Sequence, residues 1–200
     1  RAPLDNQISK MQASAFVFIA VALVGAHGTC DPEIINKIKT SWNGNPPTNI
    51  IQKLTGKITW LTSPSYYSNY SDDISCAQTT VDSTGAAKDF VYLGDTNAPS
   101  ETDYQLQENE KGILQWEDDS SVLSNNMYVV YQTDNVLAYF QCQSTTPDAY
   151  EPYAGMAAVN IKDGDLDNSD ALKADLQTGS EALNKLGLRP LEGLYTDCKF

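Results

Sequence analysis

The chain has 200 residues, a formal net charge of −13 and 41% hydrophobic residues, which is enough for one domain with a buried core. Such an acidic protein repels nucleic acid and anionic lipid, so neither is expected as a partner. The single histidine, His27, lies in the predicted leader described below. Without it the chain lacks the imidazole on which most hydrolases and many metal sites depend, so we expect no enzyme and no metal site.

Residues 1–28 are expected to precede the folded domain. The apolar run Ala13–Gly25 has the length of a signal peptide and is too short for an ordinary membrane span. Small residues at Ala26–Gly28 suit cleavage, and residues 1–10 look like sequence upstream of a start at Met11. The alternative role of this apolar run is a buried core helix or a membrane anchor. We therefore expect residues 29–200 to form a single secreted, extracellular domain with no membrane span.

Four cysteines follow the leader: Cys30, Cys76, Cys142 and Cys198. An even number behind a signal peptide predicts two disulfides, and the long spacings without a CxxC pair argue against zinc. The spacings alone leave all three pairings open. Asn69 begins an Asn-Tyr-Ser sequon, which predicts glycosylation if the chain is exported.

The pattern in chain order begins with two helical segments and continues with short strands. Apolar residues at helical spacing predict a helix over Asp31–Lys39, and one more turn is predicted over Asn49–Leu54. Eight strands separated by Gly, Pro, Asn, Asp and Ser are then predicted at Lys57–Thr62, Ser75–Val81, Asp89–Gly94, Asp103–Glu108, Ile113–Asp118, Met127–Gln132, Val136–Gln143 and Gly155–Ile161. Regular short strands with turn signals predict a sandwich or an up-and-down barrel.

The last predicted element is an amphipathic helix over Asp170–Leu186, whose leucines mark one apolar face. Its start can be capped by Asp167, Ser169 or Asp170, and Gly187 stands where a C-terminal cap glycine belongs.

The acidic run Asp163–Asp167 just before this helix begins like a calcium-binding EF-hand loop. Such a loop needs a glycine at its sixth position and a glutamate at its twelfth, and these positions hold Asn168 and Ala174. We therefore expect a turn that leads into the helix, without calcium.

Three segments together resemble the lipocalin family, and arthropod lipocalins in particular. They are Leu54-Thr55-Gly56-Lys57, then Thr133-Asp134 before Ala138-Tyr139-Phe140-Gln141-Cys142, and finally Ala182–Leu188 followed by Tyr195-Thr196-Asp197-Cys198. The likeness covers Asn49 to Cys198. It implies an all-β fold, an eight-stranded up-and-down antiparallel barrel with a C-terminal helix packed outside. It also implies the disulfides Cys30–Cys142 and Cys76–Cys198.

Two family features are missing. The tryptophan of the family's Gly-x-Trp block is replaced by Ile58, while Trp60 lies two residues further on and hence on the same strand face. The arginine expected near the end of the eighth strand is also absent, with Asn160 or Lys162 in its place. The chain therefore looks like an outlier member without the family's usual tryptophan–arginine plug.

Family position and strand alternation predict the residues that face a barrel cavity. Ile58 at the plug position should face inward, so Trp60 should as well, and Tyr139 should face inward if Cys142 faces out. Aromatic bulk adds further candidates. The predicted ligand-binding residues are Trp60, Tyr92, Tyr104, Trp116, Tyr128 and Tyr139. Plain core packing is the alternative role for each of them.

The resemblance implies a secreted carrier or sequestering protein for a small hydrophobic molecule, such as a pigment, retinoid, bilin, carotenoid or lipid. This molecule would be cargo and not a required cofactor. One alternative is a lipocalin that binds a biogenic amine through inward carboxylates, with Glu108, Glu117 and Asp118 as candidates. Another is a secreted interaction or inhibitor protein that acts through its loops. The sequence leaves the ligand, the tissue role and the oligomeric state open.

Overall fold

The computed structural model describes residues 30–61, 74–93, 99–118, 124–143, 152–162 and 165–189. Within them, eight antiparallel strands pair in chain order, and the first strand closes onto the last to form a barrel. The strands are β1 (Gly56–Trp60), β2 (Ile74–Val81), β3 (Ala86–Leu93), β4 (Ser100–Glu110), β5 (Ile113–Asp118), β6 (Ser124–Gln132), β7 (Val136–Gln143) and β8 (Tyr153–Val159). The predicted up-and-down barrel is confirmed, and the sandwich alternative is wrong.

The described residues also form four helices. They are α1 (Pro32–Ser41), α2 (Ile50–Leu54), α3 (Asp165–Asn168) and α4 (Asp170–Lys185). Ser169 caps α4 by accepting a hydrogen bond from the backbone N–H of Leu172 at 3.2 Å, so Ser169 is the cap among the three candidates. Gly187 has a φ of +77°, and the N–H of Leu188 returns to the carbonyl of Leu183, which ends the helix as predicted. No helix in the described ranges is long and apolar enough to cross a membrane.

The short helix α2 closes one end of the barrel. Ile50 and Leu54 are buried there against the inner residues of the strands. The Glu108 carboxylate on β4 accepts a hydrogen bond from the backbone N–H of Ile50 at 2.7 Å. This bond satisfies a backbone donor at the start of α2, which has no partner within its own helix. The barrel therefore has a fixed floor.

Asn160 fastens β1 to β8 near this floor, in the region where the family would place an arginine. Its Oδ1 accepts from the backbone N–H of Lys57 and its Nδ2 donates to the carbonyl of Thr55, both at 3.1 Å. Gly56 makes this contact possible, because a Cβ at that position would lie 1.9 Å from Asn160 Oδ1. An amide clamp thus joins the two strands that close the barrel.

Helices α1 and α4 pack on the outside of the barrel. Ile38 of α1 and Leu183 of α4 are fully buried in one cluster with Tyr128 and Phe140 of the outer face. The predicted position of the C-terminal helix outside the barrel is therefore confirmed.

The predicted disulfide between Cys30 and Cys142 is confirmed, with Cα atoms 5.0 Å apart, and it ties the segment before α1 to β7. Cys76 is also disulfide-bonded. Its predicted partner, Cys198, lies outside the described residues, as do the sequon at Asn69 and the predicted leader.

Four of the connections between consecutive strands lie outside the described residues. They are residues 62–73, 94–98, 119–123 and 144–151. An interaction protein of this fold would act through these connections. The interaction-protein alternative therefore stays untested.

Candidate ligand-binding cavity

A cavity lies inside the barrel between the floor and the opposite end. Its lining is mostly apolar and includes Leu54 of α2 and Ile58 of β1. The enclosed volume is about 50 Å³, and the cavity continues into a mouth that is open to solvent. One water needs about 10–15 Å³ of such volume. The enclosed part therefore has room for a few water-sized groups, and a larger ligand would extend into the mouth.

Three of the six predicted aromatic residues line this cavity, namely Trp60, Tyr104 and Trp116. The rings of Tyr104 and Trp116 are tilted by 53° with their centroids 5.5 Å apart. Trp60 packs edge-on against Tyr139 with centroids 5.7 Å apart. Tyr139 faces inward as predicted, but it is fully buried in the interior cluster and supports the Trp60 ring from behind.

The described lining of the cavity does not include Tyr128 and Tyr92. Tyr128 belongs to the outer cluster with Ile38 and Leu183, where burial raises the pKa of its hydroxyl. Tyr92 follows Val91, which lines the cavity, so alternation along β3 places Tyr92 on the outer face. Both predictions rest on aromatic bulk and not on alternation from a residue of known orientation.

Asp89 is the one charged residue among the described residues that line the cavity, and sequence reasoning missed it. It lies in the middle of β3, opposite Thr79 of β2 and Thr102 of β4. Its Oδ1 accepts hydrogen bonds from the hydroxyl of Tyr104 at 2.8 Å and from that of Thr79. Within the described chain no donor reaches its Oδ2. The side chain is only partly buried, and the surface that it keeps faces the cavity.

The surroundings of Asp89 favour its neutral form. Desolvation raises the pKa of Asp89 from 3.8 to about 6, although the hydrogen bonds from Thr79 and Tyr104 act in the opposite direction. No cationic residue lies among the described lining residues to neutralise it. At neutral pH the described lining therefore gives this carboxylate no counter-ion, a costly arrangement that is typical of functional sites.

Thr79 holds this carboxylate in place. The indole Nε1 of Trp60 donates to Thr79 Oγ1 at 2.7 Å, and the Thr79 hydroxyl donates to Asp89. A threonine hydroxyl has one proton to donate and can accept from the indole at the same time. The chain of bonds therefore runs in one direction and fixes both the indole and the carboxylate at the cavity wall.

A second polar pair lies on another wall of the same cavity. The hydroxyl of Tyr153 on β8 donates to Oε1 of Gln141 on β7 at 2.9 Å, and both residues line the cavity. The predicted amine-binding carboxylates are placed differently. Glu108 is absent from the described lining, and its carboxylate accepts the hydrogen bond from the Ile50 N–H at the floor. The side chains of Glu117 and Asp118 lie outside the described residues.

No protein-family model matches the chain, and no curated protein matches it. Among solved structures, a crystal structure of an LTBP1 LTC4 complex is similar to it, with a TM-score of 0.45 and 16% sequence identity. The likeness covers 76% of this chain and 93% of that one. At this level it carries no argument about the fold or the ligand.

Proposed function

We propose that the protein is a secreted, lipocalin-like carrier or sequestering protein that binds a small molecule in its barrel. The observation that carries this proposal is the cavity above a closed floor, with aromatic walls and, among the described lining residues, one carboxylate and no counter-ion for it. An eight-stranded barrel has an interior wide enough for one small ligand. The disulfide between Cys30 and Cys142 fits an exported protein.

The aromatic walls suit the apolar body of a ligand. Trp60, Tyr104 and Trp116 each keep accessible surface and line the cavity. Contact with such rings contributes about 0.5–1.5 kcal/mol per aromatic pair beyond area burial. A flat or short apolar group between these side chains is therefore the expected core of the ligand.

The volume favours a small ligand over a long pigment. Pockets for drug-sized molecules measure about 300–1,000 Å³. The enclosed volume of this cavity is about 50 Å³, well below that range. A carotenoid or bilin would extend well into the mouth, whereas a compact ligand would stay between the aromatic walls.

Asp89 favours a second, more specific candidate, a binding protein for a protonated amine. A neutral ligand would cover the carboxylate further and supply no partner for Oδ2. A protonated nitrogen would donate a charge-assisted hydrogen bond to Oδ2, of a kind that contributes about 1.5–3 kcal/mol. The amine alternative that the sequence left open thus acquires a named carboxylate, Asp89, in place of Glu108.

The test is a fluorescence titration with matched probes. Phenethylamine and n-propylbenzene have nearly the same shape but differ in charge, and retinol and a fatty acid represent longer apolar ligands. We expect at least one probe to quench tryptophan emission with a Kd below about 100 μM. Trp60→Ala should weaken binding by about 1–3 kcal/mol. Trp42→Phe is the control, because the Trp42 indole bonds to the Val129 carbonyl and is absent from the cavity lining.

Asp89→Asn separates the two candidates. If the ligand is an amine, this variant should bind phenethylamine at least tenfold more weakly and n-propylbenzene as tightly as before. If n-propylbenzene or retinol binds tightly and phenethylamine does not, the apolar carrier is the correct function. If no probe binds below about 100 μM, the carrier proposal is overturned in favour of an interaction protein.

A further inference from the structure

A second recess lies outside the barrel, between the connection that joins α1 to α2 and the outer face of β6. We call it the outer cleft, and its apolar lining consists of Trp42, Pro46, Pro47, Val130 and Tyr131. Its volume is about 430 Å³ and it is open to solvent, whereas the barrel encloses about 50 Å³. Ligand pockets measure about 300–1,000 Å³. The outer cleft therefore has room for a larger ligand than the enclosed part of the barrel cavity.

A β-bulge in β6 supplies the base of the outer cleft. Val129 pairs with Tyr139 and Tyr131 pairs with Ala138, so Val130 is an extra residue between two pairs. Val129 belongs to the interior cluster, but Val130 and Tyr131 both pack against the outer cluster. Successive side chains of a regular strand would alternate between the two faces. The bulge therefore turns two consecutive side chains toward the cleft, and bulges of this kind often lie beside functional sites.

The apolar walls of the outer cleft are held in place by the rest of the fold. The indole Nε1 of Trp42 donates to the carbonyl of Val129 at 2.8 Å, and the hydroxyl of Tyr131 donates to Asp175 Oδ1 on α4 at 3.3 Å. The prolines at Pro46–Pro47 restrict the backbone of the connection. Both rings keep accessible surface. Because the walls are fixed before binding, a ligand pays little to order them.

The remaining lining is polar and, among the described residues, includes no carboxylate. Its exposed hydroxyl and amide side chains are those of Ser41, Asn45, Thr48 and Asn49. Lys53 of α2 is the cation of this lining and is exposed. The ion pairs of the described chain involve Lys37, Lys39 and Lys88, so none of them neutralises Lys53. In a protein with a net charge of −13, this cleft is therefore a place that accepts an anion.

The three kinds of surface in the outer cleft match those of an acidic sugar. The C–H face of a pyranose ring is apolar and can pack on Trp42 or Tyr131. Sugar hydroxyls both donate and accept hydrogen bonds, as amide and hydroxyl side chains do. A carboxylate on the sugar would receive a charge-assisted hydrogen bond from Lys53. An apolar carboxylate of the same size would instead cover the polar lining without replacing its hydrogen bonds to water, which is costly.

We propose that the outer cleft binds a sugar residue that carries a carboxylate, at the surface of a glycan. This site is separate from the barrel cavity and does not depend on the ligand carried there. Its open side leaves room for the neighbouring sugars of a glycan chain. Lys53 selects the charge, and the aromatic base selects the ring.

The experiment compares three probes by NMR titration at low salt: methyl glucuronide, methyl glucoside and 3-phenylpropionate. The two glycosides differ only in a carboxylate that replaces a hydroxymethyl group, and 3-phenylpropionate has the carboxylate without the hydroxyls. We expect methyl glucuronide to bind wild-type protein with a Kd of about 1 mM or below, and at least about fivefold more tightly than either of the other probes.

Two variants at exposed positions locate the binding, and both should fold because surface changes have small effects on stability. Lys53→Gln should bring the affinity for methyl glucuronide down to that for methyl glucoside. Thr48→Trp should fill the outer cleft and abolish binding of both glycosides. Lys185→Gln, at the exposed end of α4, is the matched control and should bind all three probes as wild type does.

Other results would overturn the proposal. If no probe binds wild-type protein below about 10 mM, the outer cleft is not a binding site for an acidic sugar. If 3-phenylpropionate binds more tightly than methyl glucuronide, the cleft takes an apolar anion and the sugar is wrong. If methyl glucoside binds as tightly as methyl glucuronide, the role of Lys53 is refuted. If methyl glucuronide still binds Thr48→Trp, the sugar binds at another place.

Discussion

Replacing Asp89 by asparagine should make the unliganded protein more stable near pH 8 while it weakens the binding of a cation. The carboxylate is enclosed by the barrel, receives two hydrogen bonds on Oδ1 and has no counter-ion in the described lining. Asparagine can keep the hydrogen bonds from Thr79 and Tyr104 through its own Oδ1 and carries no charge. The cost of ionising the buried group therefore disappears.

The magnitude and the pH window follow from the pKa of Asp89. A rise in that pKa from 3.8 to about 6 corresponds to a penalty of up to about 3 kcal/mol, an upper bound since the side chain keeps some access to the cavity. Well below pH 4, Asp89 is protonated in both the folded and the unfolded protein, and there is no penalty. Between about pH 4 and 6 the unfolded chain loses its proton first, so the wild type loses stability as the pH rises. Above about pH 6 the loss is complete and constant.

Urea unfolding of the disulfide-intact protein at a series of pH values between about 4 and 8 measures this effect. The free energy of unfolding of Asp89→Asn minus that of wild type should be near zero at the acid end and should increase to between about 1 and 3 kcal/mol above pH 6. Asp134→Asn, a change at an exposed turn residue, is the control and should stay within about 0.5 kcal/mol of wild type. A pH-independent difference, or a variant less stable than wild type near pH 8, would refute the reasoning.

Three further predictions concern the scaffold. Leu183→Asp places a charge in the fully buried contact between α4 and the barrel, so the free energy of unfolding should fall by at least about 3 kcal/mol. Urea or thermal unfolding measures this change, and an unchanged value would mean that α4 is peripheral. Gly56→Ala should lower the free energy of unfolding by several kcal/mol, because the added Cβ would overlap Asn160 Oδ1 and the φ of Gly56 is +121°. If the overlap is the cause, the companion change Asn160→Gly should recover part of this loss. Non-reducing peptide mapping should find Cys30–Cys142 and Cys76–Cys198; a Cys30–Cys76 peptide would contradict the strand register.

Strand alternation predicted the cavity well wherever the register was anchored. Ile58 sits at a position that the family resemblance fixes as inward, and Trp60 follows from it by counting along β1. On β7 the outward Cys142 is the anchor from which the inward Tyr139 follows. The interior placement of Tyr92 and Tyr128 had no such anchor and relied on bulk, and Tyr128 packs instead on the outer face beneath α1 and α4. Apolar patterning identifies which residues are buried, but it does not separate the inside of a barrel from an outside covered by helices.

Asp89 was missed because the predicted third strand began at that residue. An acidic residue at the start of a strand is expected to be solvated. The strand begins three residues earlier, at Ala86, so Asp89 lies in the middle of the strand. It shares the inner face with Ala87 and Val91, which lie two residues before it and two residues after it. Glu108 was misplaced for another reason, since its partner is the start of α2, a contact between residues 58 positions apart in the sequence. Contacts of this range are not visible in local patterns.

The affinity of wild-type protein for phenethylamine between about pH 5 and 8, measured beside n-propylbenzene, tests the central claim most directly. Phenethylamine remains protonated over this range, so any change reflects the protein. If Asp89 is the counter-ion, the Kd for phenethylamine should rise about tenfold from pH 8 to pH 5 as Asp89 takes up a proton, and n-propylbenzene should bind at least as tightly at pH 5 as at pH 8. A phenethylamine affinity that does not change with pH, or that is the same in wild type and Asp89→Asn, would contradict the account.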